Sequence, residues 1–125
     1  MPDQRETIVV VEDDAGMIKA IERLLRAGGF QPVCFASAEA LLGTNAVSDA
    51  ACLVLDIHLP GLSGFELHRR LAALGHKVPV IFITAQDETP TRDEAKALGC
   101  IAYLRKPFDG QAMLAAIRLG LRRIP

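Results

Sequence analysis

The sequence has no tryptophan, a single tyrosine and only three cysteines among its 125 residues. Cys34, Cys52 and Cys100 are odd in number and widely spaced, which argues against a disulfide framework and against a zinc site. Each lies in or beside an apolar run and reads as a buried, reduced thiol. An excess of one charge is missing too. The 14 basic residues stand against 15 acidic ones, which gives no support to a nucleic-acid surface. The one basic cluster, Arg118, Arg122 and Arg123, reads as cations favouring the negative end of a closing helix. No apolar run approaches the ~18 residues that cross a bilayer. Residues 1–6 are polar and carry no secretory signal. The expectation is a cytoplasmic protein that touches neither membrane nor nucleic acid through this segment. No glycine fingerprint follows the first apolar run, which argues against a dinucleotide site. Gly61-Leu62-Ser63-Gly64-Phe65 is no hydrolase elbow, because Phe65 stands where that motif requires its last glycine.

What is present is apolar and periodic. Half of the residues are hydrophobic, and the chain is long enough for one domain with its own core. That domain is expected over 1–125, with its structured core at about 6–123. Strand-like runs recur at 8–11, 32–35, 52–55, 80–84 and 101–104. Helical spacing separates them. The first helix is expected at 15–27, with Met17, Ile18, Ile21, Leu24 and Leu25 on one stripe and Gly28-Gly29 as its stop. A short second one at 38–42 follows Ser37 as N-cap. A third at 64–74 opens on the capping box of Ser63 and Glu66 and ends at Gly75. Thr91 and Glu94 repeat that signature for a fourth, which stops at Gly99. The fifth is expected at 110–122, capped by Asp109, with Met113, Leu114, Ile117 and Leu121 inward. Strict alternation of strand and helix implies parallel pairing, hence an α/β, doubly wound, five-stranded parallel sheet covered on both faces.

Ligands of such sheets bind beyond the carboxyl ends of the strands. Glu12-Asp13-Asp14 ends the first run, Asp56 the third and Thr84 the fourth, while Lys106 follows the fifth. Clustered carboxylates repel one another and raise each other's pKa unless a cation neutralises them. A hard divalent ion held through oxygens, Mg²⁺ or Mn²⁺, is the simplest resolution. An acidic pocket with a lysine and a hydroxyl suggests phosphate chemistry.

Four segments, Val11-Glu12-Asp13-Asp14, Leu55-Asp56-Ile57-His58-Leu59-Pro60-Gly61, Ile83-Thr84-Ala85 and Tyr103-Leu104-Arg105-Lys106-Pro107-Phe108, occur in this order. Together they resemble the receiver domains of two-component response regulators, and the resemblance covers nearly the whole chain. Thr84 and Lys106 follow Asp56 by 28 and 50 residues, which is family-like spacing. Residues 35–40 and 106–109 also look like receivers of regulators that carry a C-terminal helix-turn-helix.

The resemblance implies a flavodoxin-like (βα)5 fold with strands ordered 2-1-3-4-5. It implies that Asp56 is the phosphoacceptor, charged from the phosphohistidine of a sensor histidine kinase. Asp13, Asp56 and the backbone carbonyl of His58 would hold Mg²⁺ or Mn²⁺, with Glu12 acting through a water. Lys106 would bind the phosphoryl group, aimed by a cis peptide bond before Pro107. The Thr84 hydroxyl would meet a phosphoryl oxygen, and Tyr103 would be the aromatic switch that follows Thr84 inward. That movement would repack the face of the fourth helix, fifth strand and fifth helix. The face would then meet a second copy, the protein's own output domain or a downstream protein, with transcription as the expected output. The chain is expected to be a signalling switch rather than an enzyme.

Several alternatives stay open. Asp14 reads as a charge at a helix N-terminus, but a slip of one residue would pair Asp13 with Asp14. The position of Met17 favours Glu12 and Asp13. Tyr103 could be a plain half-buried strand tyrosine. His68 and His76 have no convergent partners and are expected on a helix surface and in a turn. A phosphorylation-independent interaction module of the same fold is one competing function, which the complete set of acceptor residues opposes. An aspartyl-nucleophile phosphatase is another, but its D-x-D motif would fall at Glu12-Asp13-Asp14. The chain could be a complete single-domain regulator or a receiver excised from a longer protein.

Overall fold

The structure, a computed structural model, describes residues 5–122. Strands β1 (Thr7–Val11), β2 (Gln31–Phe35), β3 (Ala50–Asp56), β4 (Val80–Thr84) and β5 (Ala102–Arg105) form one parallel sheet in the order β2-β1-β3-β4-β5. Helices α1 (Ala15–Ala27), α2 (Ala38–Leu42), α3 (Gly64–Ala73), α4 (Thr89–Ala97) and α5 (Gly110–Arg122) alternate with the strands. Arg123, the third member of the basic cluster, lies outside the described residues.

Successive strand residues face opposite sides, so each strand feeds two cores. Ile8 and Val10 pack with Ile21, Leu25, Met113 and Ile117 beneath α1 and α5. Val9 and Val11 pack with Leu41, Leu67 and Phe82 on the other side. Fully burying each such side chain contributes about 1.5–3 kcal/mol. This two-sided burial is why the strands read as continuous apolar runs. No helix among the described residues is long and apolar enough to cross a membrane.

The caps carry much of the local agreement. Ser37 Oγ accepts the Ala40 N–H, and Ser63 and Glu66 form both bonds of a capping box at the head of α3. Several element ends shift by one or two residues, and three differences from expectation matter more. β3 extends through Asp56, so the acceptor candidate closes the strand instead of following it. A 3₁₀ turn at Ala46–Asp49 had no periodic signal, as a single four-residue turn cannot. The capping box expected at Thr91 and Glu94 does not start α4. That helix begins three residues earlier, behind Glu88, with Pro90 in its first turn. Proline suits that turn because its missing N–H would be unsatisfied there anyway. Glu94 instead pairs with Arg69, tying α4 to α3.

His68 also departs from expectation. It shares the inner face of α3 with Phe65 and Leu71, three residues to either side. Its ring meets Phe82 edge-on at 5.8 Å between centroids, and its buried Nδ1 has no hydrogen-bond partner. Burial, and then the neighbouring Arg69, hold its pKa below the ordinary histidine value. As pH falls through about 6.5, the unfolded chain therefore takes up a proton that the folded one refuses, and stability drops. His68→Leu is expected to raise stability by about 1 kcal/mol at pH 7, because an apolar side chain removes the orphaned acceptor. It should also flatten the decline between pH 7 and 5 in urea titrations.

Candidate functional site

The rim where β1, β3, β4 and β5 end collects the polar residues. The end of β1 is pinned by the Glu12 N–H, which donates to the Phe35 carbonyl at 3.0 Å. Carboxylate oxygens of Glu12, Asp13 and Asp56 lie within 4.8 Å of one another. Glu12 has no exposed surface and Asp56 is nearly as buried, whereas Asp13 is open to solvent. The cluster is thus a pocket with two buried walls and one exposed lip.

Lys106 enters from the end of β5. Its N–H donates to the Thr84 carbonyl at 2.7 Å, and the Lys106–Pro107 peptide bond is cis. Its Nζ lies 2.9 Å from Asp56 Oδ2 and 2.5 Å from Glu12 Oε1. The other Glu12 oxygen accepts the Asp14 N–H at 3.0 Å, so this buried carboxylate is bonded on both sides. Burial raises the Glu12 pKa, and the Lys106 ammonium only partly offsets it. For Lys106 burial is the largest single influence and would lower the pKa, but the two carboxylates together outweigh it and the net shift is upward.

The other expected residues are placed differently. Asp14 caps α1, its Oδ1 accepting the Met17 N–H at 3.1 Å, and stands outside the carboxylate cluster. The His58 N–H donates to Asp56 Oδ1 at 3.0 Å, and its side chain is exposed. The Thr84 hydroxyl is fully buried and engaged elsewhere, accepting the Gln86 N–H at 2.9 Å and donating to the Gln86 carbonyl. Tyr103 lies beside Phe82 in the sheet and is not part of the Glu12, Asp13 and Asp56 cluster. Its buried hydroxyl lacks a partner of full hydrogen-bond geometry. Burial, and then the nearby Asp87 carboxylate, raise its pKa, so the phenol is neutral. The thiols are free, with burial pushing Cys52 to about 12 and Cys34 to about 11. Such thiols are poor nucleophiles at neutral pH.

Residues 8–118 match the family model described as the response regulator receiver domain. The chain belongs to that family. It is 37% identical over 125 residues to the response regulator protein TmoT of Ectopseudomonas mendocina, covering all of this chain and 57% of that protein. It is 37% identical over 114 residues to the transcriptional regulatory protein FixJ of Azorhizobium caulinodans, covering 91% of this chain and 54% of that one. The solved response regulator StyR superposes with a TM-score of 0.86 at 39% identity, over 94% of this chain and 60% of that one. This receiver therefore spans little more than half the length of the curated relatives it matches.

Receiver domains use Mg²⁺ at an acidic pocket, and the donor set here fits one. The oxygens of Glu12, Asp13 and Asp56 are hard ligands, close enough to share an ion. The ammonium wedged between Glu12 and Asp56 marks where positive charge is needed. One contact on this rim was missed from sequence. Glu39 of α2 reaches the loop after Asp56. Its only local sign is that Glu39 stands one residue short of the capping-box position behind Ser37, and so is free to bond elsewhere.

Proposed function

We propose that the domain, spanning 1–125, accepts a phosphoryl group on Asp56 from the phosphohistidine of a sensor histidine kinase. The observation that carries this reading is the Asp56 carboxylate, buried at a strand end and held between Lys106 Nζ and the His58 N–H. A carboxylate oxygen attacks phosphorus, the P–N bond of the donor breaks, and the freed imidazole takes a proton. Asp13, Asp56 and the backbone carbonyl of His58 would hold Mg²⁺ or Mn²⁺, with Glu12 acting through a water. An ion bound there would supply positive charge to neutralise the carboxylates and offset charge on the equatorial phosphoryl oxygens. Lys106 moves its contact from Asp56 to the phosphoryl group, supplying charge that is already positioned.

Thr84 must exchange its Gln86 partners for a phosphoryl oxygen, and Tyr103, its neutral phenol beside Asp87, turns into the space released. The phosphoryl contact exists only in one conformation, so it shifts the population toward that state. The face of α4, β5 and α5 then meets a second copy, an output domain or a downstream protein. Relatives named as transcriptional regulators support transcription as the output. The domain acts as a cytoplasmic switch, not as an enzyme on free substrates.

Incubation with acetyl phosphate and Mg²⁺ tests this reading. The expected product is heavier by about 80 Da, requires the metal and is removed by hydroxylamine. Folded protein that gains no mass with either Mg²⁺ or Mn²⁺ overturns it.

A further inference from the structure

The loop between β3 and α3, residues 57–63, carries His58 past the acceptor. Most of its hydrogen bonds are local. The His58 N–H donates to Asp56 Oδ1 at 3.0 Å, the Gly64 N–H to the Ile57 carbonyl at 2.9 Å, and the Ser63 N–H to Glu66 Oε1 at 3.2 Å. Two reach elsewhere, and one of them, from the Ile57 N–H to the Ile83 carbonyl at 3.0 Å, only continues the sheet. The Leu62 N–H donates at 3.0 Å to Oε2 of Glu39 on α2, 23 residues away. Among the described residues no other side chain outside 56–66 hydrogen-bonds this loop.

The loop backbone is shaped around that contact. Gly61 has φ +75°, and a Cβ there would stand 2.5 Å from Glu39 Oε2. Three residues on, a Cβ at Gly64 would stand 2.3 Å from the Asp56 carbonyl oxygen. The loop therefore touches Glu39 through Gly61 and Leu62, and the acceptor's own backbone through Gly64. Ser37 already caps α2 through the Ala40 N–H, so the helix leaves the Glu39 carboxylate free for the loop. The Leu62 N–H is the main reason that this carboxyl sits below its ordinary pKa.

We propose that Glu39 is a positioning residue for the phosphoacceptor site: it holds the β3–α3 loop through the Leu62 N–H, and so the His58 backbone beside Asp56. This rests on the reading of Asp56 and His58 given above. Preorganisation is the physical basis. A loop without its tether samples more conformations, and each ligand it carries must then be ordered when the site fills. Glu39 touches no reacting atom and acts through the loop alone. Through the same contact, occupancy of the site is felt at α2.

The test compares the full chain with Glu39→Ala and Glu39→Gln, following amide exchange at Leu62, Mg²⁺ binding by NMR titration, and acyl phosphate formation against Mg²⁺ concentration. Glu39→Ala is expected to speed Leu62 exchange and raise the Mg²⁺ dissociation constant roughly tenfold, the scale seen when a ligand's supporting partner is lost. The loss in phosphorylation rate should shrink at saturating Mg²⁺. Gln keeps an oxygen acceptor and is expected to recover most of the binding. Gly61→Ala should harm binding less in the Glu39→Ala background than alone, because its Cβ no longer meets a carboxylate. Folded Glu39→Ala protein with unchanged Mg²⁺ affinity overturns the proposal, even if Leu62 exchanges faster. Wild-type protein that binds Mg²⁺ but gains no phosphoryl overturns the Asp56 reading alone, and the affinity comparison still decides the role of Glu39.

Discussion

Asp56→Asn is expected to abolish the acyl phosphate while leaving the fold intact. The amide has the size of the carboxylate, and its oxygen can still accept the His58 N–H that Asp56 Oδ1 accepts at 3.0 Å. What it lacks is the charge and the free oxygen nucleophile, so the effect is on chemistry rather than packing. Removing one nucleophile of this kind lowers a rate by at least roughly 10³-fold. Lys106 keeps Glu12 as its partner, so no buried ammonium is stranded. Removing one of three crowded carboxylates also relieves repulsion, and stability without metal should rise slightly. Intact mass after acetyl phosphate treatment reads the first effect and urea denaturation the second. An adduct that persists in the variant would transfer the acceptor role to another carboxylate, with Asp13 the nearest candidate.

Lys106→Met is expected to cost both stability and phosphorylation rate. Lys106 is 15% exposed at its side chain, while the Glu12 side chain it bonds has no exposed surface. Methionine fills similar volume but leaves the Glu12 charge buried with only the Asp14 N–H. Stranding one charge of a fully buried pair costs about 3–5 kcal/mol, and the solvent access at Lys106 brings the cost below that range, to about 2–3 kcal/mol at pH 7. The pH dependence follows from the direction of the Glu12 shift. Its folded pKa lies above the ordinary value of 4.5, so between the two the folded state binds more protons than the unfolded one. Stability therefore falls as pH rises from about 4.5 upward through the folded value. Losing the ammonium raises that folded value further and widens the window. The variant should sit closest to wild type near pH 5 and furthest from it at pH 7 and above. Added Mg²⁺ should narrow the gap at neutral pH, because the cation replaces the missing charge. Phosphorylation should not recover in the same way, since the phosphoryl group still lacks its positioned ammonium. Equal stability of variant and wild type across pH 5–8 would show that Glu12 does not depend on Lys106.

The positions of α1, α2 and α5 were legible because their stripes and stops are local properties of the chain. The same holds for the two serine caps. The start of α4 was misread because Thr91 and Glu94 imitate a cap, while Pro90 favours an earlier first turn. His68 was misread because a histidine seldom signals burial, although its spacing from Phe65 and Leu71 placed it on the inner face.

The sequence by itself determined the fold class and the family, and it named the residues brought to one rim. Apolar runs, caps and strand-end polar residues are short-range patterns, and a parallel sheet turns strand ends into neighbours whatever their separation along the chain. Only the tertiary structure decided who bonds to whom. It gave Lys106 a second partner in Glu12, 94 residues away, turned the Thr84 hydroxyl to Gln86, and set Glu39 against Leu62. Those contacts depend on the distance and direction between side chains from separate elements, which packing sets and no local pattern encodes.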